Sequence, residues 1–208
     1  GPGAEPEFFE DEFAAAVDTA HRLGKKVAVH AHGTKGIMMA LRAGVDSVEH
    51  STFLDKEGMA LFKRNNIFMV PTLSVRDNLM KSSEDAPAYL RERERYIVEI
   101  TPKVMGEALR RGVKFANGSD AGVVIHGNNV RELEWLVEIG MTPAQALTAA
   151  TLNTAELFGL SDQIGALQEG MLADIIAVQG DPLTNISDLR KVDFVMKSGV
   201  VYRSGSNK

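Results

Sequence analysis

Cysteine is absent from the 208-residue chain. That removes disulfide scaffolds, thiolate zinc sites and cysteine nucleophiles, and it fits a reducing, cytoplasmic compartment. Long apolar runs are also missing. Stretches such as Ile175 to Val178 cover a few residues only, so none could span a bilayer and no membrane association is expected. The formal charge of −5 comes without long runs of one sign, which argues against a nucleic-acid surface. No secretory leader is expected, because Glu7, Glu10, Asp11 and Glu12 interrupt the first apolar stretch. Gly33, Gly36, Gly118 and Gly122 lack the spacing of a phosphate-binding loop, and there is no Walker-type lysine or serine elbow. The remaining composition, 44% hydrophobic and 25% charged, is that of one soluble globular domain with at most a small appendage. Gly1-Pro2-Gly3 looks like what a protease leaves after tag removal, so residues 1–7 are set aside as a tag remnant or leader.

Hydrophobic periodicity predicts alternating helices and strands over the first two-thirds of the chain. A helix is expected over Glu10 to Leu23, with Phe13, Ala16, Val17 and Ala20 on one face and Gly24 as its stop. Strands are expected at Val27 to His30, Val45 to Glu49, Ile67 to Val70 and Val113 to Ala116. Helices are expected at Lys35 to Ala43, Asp55 to Asn65, Tyr89 to Arg111, Asn129 to Ile139 and Pro143 to Phe158. Arg76 to Asp85 reads as a polar loop, and Pro102 is expected to start or kink a helix. Serial strand–helix units with continuous apolar strands imply a parallel sheet covered on both faces. After Gly159 the pattern becomes Ala173 to Val178, Val192 to Lys197 and Val200 to Arg203, a small β module, antiparallel in part.

The histidines carry the chemistry. His30 closes the first strand, His32 follows two residues later on the same side, and His50 closes the second. Asp120 lies just past the fourth strand. Sites in α/β sheets are built at these C-terminal strand ends. Two imidazoles and a carboxylate make a three-ligand zinc set with a position left for water, whose nucleophilicity the metal raises near neutral pH. The alternative is structural: a single strand-end histidine is often just a hydrogen-bonded residue. His21, near a helix C-terminus, is expected at the surface, where an imidazolium suits the dipole. His126 and Arg76 are candidates for holding a substrate carboxylate, with solvated surface roles as the alternative. Arg91 to Arg95 reads as a solvated, mixed-charge helix face.

The run Val27-Ala28-Val29-His30-Ala31-His32-Gly33, then Val48-Glu49-His50, then Gly118-Ser119-Asp120-Ala121-Gly122 resembles the second half of the amidohydrolase superfamily. The nearest branch is the imidazolonepropionase-like group with its metal-dependent Xaa-Pro dipeptidases. Met141 to Leu147, Asn153-Thr154-Ala155 and Gly170 to Asp174 extend the resemblance, which covers residues 8 to 203. It implies the C-terminal half of a (β/α)8 barrel, four βα units over residues 8–160, followed by strands of a small β-sandwich over 161–208. It also implies a divalent metal, zinc first although manganese or iron suit the same ligands. The resemblance makes His30, His50 and Asp120 the metal ligands. Asp120 would carry a proton from the attacking water to the leaving amine, and His32 would polarise the substrate carbonyl.

The family's opening His-x-His pair and strand-four lysine have no counterpart here. A complete barrel needs about 250 residues. A half barrel exposes two strand edges and an apolar face, so association with a complementary N-terminal half, or with a second copy as a homo-oligomer, is expected. Two functions follow. One is a metal-dependent hydrolase of amide or related C–N bonds, dipeptides among its small-molecule substrates, with little activity in the isolated chain. The other is a catalytically silent half-barrel assembly or binding module.

Overall fold

The computed structural model describes residues 5–82 and 87–205. Residues 1–4 of the expected tag remnant, and the end of the chain from 206, lie outside them. Four strands, β1 (Ala28–Ala31), β2 (Ser47–His50), β3 (Phe68–Val70) and β4 (Lys114–Phe115), form one parallel sheet in the order β1-β2-β3-β4. Helix α1 (Glu10–Arg22) precedes the sheet. Helices α2 (Thr34–Ala43), α3 (Lys56–Arg64), α4 (Val75–Ser82) and α5 (Ala88–Arg110) connect its strands. Local signals set the boundaries. Gly44 takes the left-handed conformation (φ 78°) that ends α2, and the Asp55 carboxylate accepts the Gly58 N–H at 2.8 Å to start α3. The main core, including Ile37, Leu41, Val48, Phe62, Met69 and Met105, lies between this sheet and its helices.

The expected polar loop after β3 begins instead with α4; residues 83–85 of that stretch lie outside the described residues. Tertiary partners hold this helix. Arg131 Nε donates to Asp77 at 2.6 Å, while the Arg76 guanidinium lies 4.3 Å above the Trp135 ring and donates to the Val98 carbonyl. That last bond explains why α5 runs through Pro102. Proline has no N–H, so the carbonyl four residues back loses its helical partner; the buried Arg76 supplies one. Arg76→Leu should therefore cost about 1–3 kcal/mol by orphaning that carbonyl. The loss should shrink in a Pro102→Ala background, where the N–H returns. Equal losses in both backgrounds, measured by urea unfolding, would refute the link.

The single helix expected over 143–158 is two, α7 (Pro143–Ala150) and α8 (Leu152–Phe158). A reciprocal cap between Thr142 and Gln145 starts α7. Near its end Thr148 and Thr151 bond back to the carbonyls of Ala144 and Leu147, which competes with a regular ladder. The small sheet is antiparallel throughout, in the order β5 (Ile175–Val178), β6 (Val192–Lys197), β7 (Val200–Ser204). No helix among the described residues is long and apolar enough to cross a membrane.

Helix α6 (Val130–Glu138) ties the two sheets together through a 3-10 turn, Ile186–Arg190. Glu134 accepts from Arg190 Nε at 2.6 Å and from Ser187 Oγ at 2.8 Å. The Arg190 bond, opposed by partial burial, holds the Glu134 carboxyl down at about 2, from an ordinary 4.5. A depressed carboxylate stabilises the fold above its unfolded value and ceases to do so as pH falls through the folded one. Stability should thus drop by about 1–3 kcal/mol between pH 4.5 and 2, the upper figure being reduced by solvent around Arg190. Glu134→Gln should flatten that part of the acid limb; an unchanged limb would count against the tie.

Candidate metal centre

Parallel pairing brings Ala31 opposite His50, so the ends of β1 and β2 finish at one level. His30, His32 and His50 converge there. Their ring centroids are 4.8 Å (His30–His32), 4.5 Å (His30–His50) and 4.7 Å (His32–His50) apart. One nitrogen from each lies within 4.8 Å of the others. The chain after each following strand end holds two of the rings. Thr52 Oγ1 lies 2.8 Å from His32 Nδ1, and Thr72 Oγ1 lies 2.6 Å from His50 Nδ1. With Nδ1 so engaged, Nε2 of both rings is the free ligand atom.

The backbone here is strained. His50 (φ 67°), Ser51 (51°), Thr72 (49°) and Asp120 (54°) all occupy the left-handed region without being glycine, and for β-branched Thr72 that is an outlier. Such strain persists only where its surroundings enforce it, and it concentrates at functional sites. Electrostatics favour the neutral form of His50 and His32. Burial, then the neighbouring His32 and His30, push the His50 imidazole down to about 3. Burial, His30 and Arg93 also lower His32, against the charge of Asp120. His32 and His50, held by hydroxyls and disfavoured as cations, suit a divalent cation, and His30 lies within reach of both, so the donor set fits one.

Of the other candidates, Asp120 sits exposed in the turn after β4, its carbonyl accepting the Val123 and Val124 N–H groups at 3.1 Å. It stands outside the three-imidazole group, yet its charge is felt at His32 and at Glu49. Glu49 is half-buried beside Ser47, and burial raises its carboxyl. His126 is exposed in the next turn. Arg76 packs among α4, α5 and Trp135, where its guanidinium serves the helices described above. His21 is surface-exposed as expected, but its partner is Asp46, 2.9 Å away. Sequence reasoning did not single out Thr52, Thr72 or buried Glu132. The only signal for Glu132 was an acidic residue one helical turn from Leu136 on an apolar face.

The family model of the amidohydrolase family matches residues 1–202. The chain is 32% identical over 205 residues to ochratoxinase of Aspergillus niger, covering 95% of this chain and 42% of that protein. A crystal structure of a Xaa-Pro dipeptidase with methionine in its active site superposes with a TM-score of 0.92 at 40% identity, covering 97% of this chain and 50% of that one. A prolidase complexed with N-methylphosphonate-L-proline gives 0.88 at 27% identity, covering 98% and 51%. The chain thus spans about half the length of the relatives it matches. A parallel sheet with strand-end imidazoles, and a family match running along nearly the whole length, make this chain a member of the amidohydrolase family.

Proposed function

We propose that this chain is the C-terminal half of a metal-dependent hydrolase of amide or related C–N bonds. The observation that carries the reading is the convergence of His30, His32 and His50 within 4.8 Å at two adjacent strand ends. His30 and His50 would hold a divalent cation, zinc first, with Asp120 as the third ligand from the turn after β4. When bound, the cation supplies a Lewis acid and a source of nucleophilic water near neutral pH. Asp120 accepts the proton from the attacking water and delivers it to the leaving amine. His32, with its Nδ1 engaged by Thr52, presents its other nitrogen to the substrate carbonyl. A dipeptide, or an amide whose leaving part carries a carboxylate, is the favoured substrate class, supported by relatives that are a Xaa-Pro dipeptidase, a prolidase and an ochratoxinase. His126, exposed beside the Asp120 turn, is our candidate for that carboxylate.

In this reading the four-stranded sheet is half of a (β/α)8 barrel, and residues 161–208 are strands of an incomplete sandwich. Support comes from the half-length coverage of the relatives and from an open groove of about 330 Å³ against the sheet, lined by Ala28, Ser47, Glu49, Val70 and Leu157. A complementary N-terminal half, or a second copy, would cover it. Co-expression with the N-terminal half of the Xaa-Pro dipeptidase relative, followed by solution mass and dipeptide turnover, tests this. A stable complex with turnover well above that of either half is expected. A soluble monomer that ignores the added half would overturn the half-barrel reading.

A further inference from the structure

Glu132 on α6 has no exposed surface, yet it carries a carboxyl group. Its two oxygens accept the backbone N–H groups of Leu73 and Ser74, at 2.8 and 2.7 Å. Those two residues follow Thr72 immediately. Thr72 is the β-branched residue in the left-handed region, and its hydroxyl meets His50 Nδ1 at 2.6 Å. Ser74 Oγ, from the same turn, donates to the carbonyl of Ser119, the residue before Asp120. One buried carboxylate therefore grips the β3 exit at the point from which one arm reaches the imidazoles and another reaches the Asp120 turn.

We propose that Glu132 is a positioning residue for this site. By fixing two consecutive N–H groups it enforces the strained Thr72 backbone, which aims the hydroxyl at His50 and sets that ring's orientation. The grip needs two acceptors on one group. Gln would supply one acceptor and place an NH2 against the second N–H. Asp would keep both acceptors on a side chain one methylene shorter. An apolar residue would leave two buried N–H groups unpaired. Burial pushes the Glu132 carboxyl up to about 7, while the bonds from Ser74 and Leu73 favour its charged form.

The metal part of this inference rests on the proposed function, so the test has a metal-free arm. In the 208-residue chain, ¹⁵N shifts of the His50 ring report the Nδ1–Thr72 bond without any cation. Co²⁺ affinity is measured separately. Glu132→Gln is expected to move the His50 ring shifts towards those of Thr72→Val and to weaken Co²⁺ binding about 10–100-fold, the usual effect of losing an outer partner of a ligand. Leu136→Ala, equally buried on the same helix, controls for lost stability and should leave both readouts in place. If Glu132→Gln does not fold, Glu132→Asp tests the same grip, with a smaller shift in the same direction expected. His50 signals unchanged in the folded variant, or moved as much by Leu136→Ala, would overturn the proposal. If the unaltered chain binds no Co²⁺ but its His50 ring responds to Glu132→Gln, the metal reading fails and the positioning role stands.

Discussion

Asp120→Asn should cut amide hydrolysis by about 10²–10⁴-fold, the range for loss of a positioned general base. Asparagine has nearly the same shape and is among the few residues that tolerate the left-handed backbone at this position (φ 54°). The turn, held by the Val123 and Val124 N–H groups, should therefore survive. What disappears is the negative charge that reaches His32 and Glu49, and with it the carboxylate proposed to move the proton. Turnover would be measured on a dipeptide with the chain completed by an N-terminal half. Metal affinity should fall less than on loss of an imidazole, because His30, His32 and His50 remain. Full turnover in the variant would remove Asp120 from the mechanism.

Phe62→Ala should be the most destabilising single change in the core. Phe62, on α3, is the largest fully buried side chain among the described residues. Truncating a buried phenylalanine costs about 3–5 kcal/mol, part of it for the space left behind. Phe62 packs in the main core with Ile37, Leu41, Met69 and Met105, so the space left by its ring lies among residues that are themselves fully buried. In a chain of this length the loss corresponds to a melting temperature lowered by roughly 6–20 °C. A change below about 1 kcal/mol would mean that α3 can close onto the sheet.

The strands were legible because their signals are local: short β-branched runs, each followed by a polar or glycine-bearing turn, with His30, His50 and Asp120 at or just past their ends. The convergence of His30 and His32 was likewise implicit in their two-residue spacing. What was not legible depends on partners far along the chain. Arg76 looked like a free cation in a polar stretch, and nothing local says that Pro102, 26 positions on, leaves a carbonyl for it to serve. Helix α4 was hidden for the same reason, being held by α5 and α6 rather than by its own propensity. Thr52 and Thr72 sit 20 and 22 residues from the rings they hold, so their roles emerge only when parallel pairing aligns the strand ends. Glu132 was masked by its charged neighbours Arg131 and Glu134, although its place on an apolar helix face marked it as unusual.

The proposed hydrolase function depends most on the strand-end imidazoles being a cation site. Metal content of the 208-residue chain, purified without chelator, tests this directly when compared with His50→Ala. About one divalent ion per chain is expected, held more weakly once the His50 ligand is gone than after loss of an outer partner, which itself costs about 10–100-fold. A metal-free protein that also fails to take up added Zn²⁺ or Co²⁺, or a variant that binds as well as the unaltered chain, would contradict it.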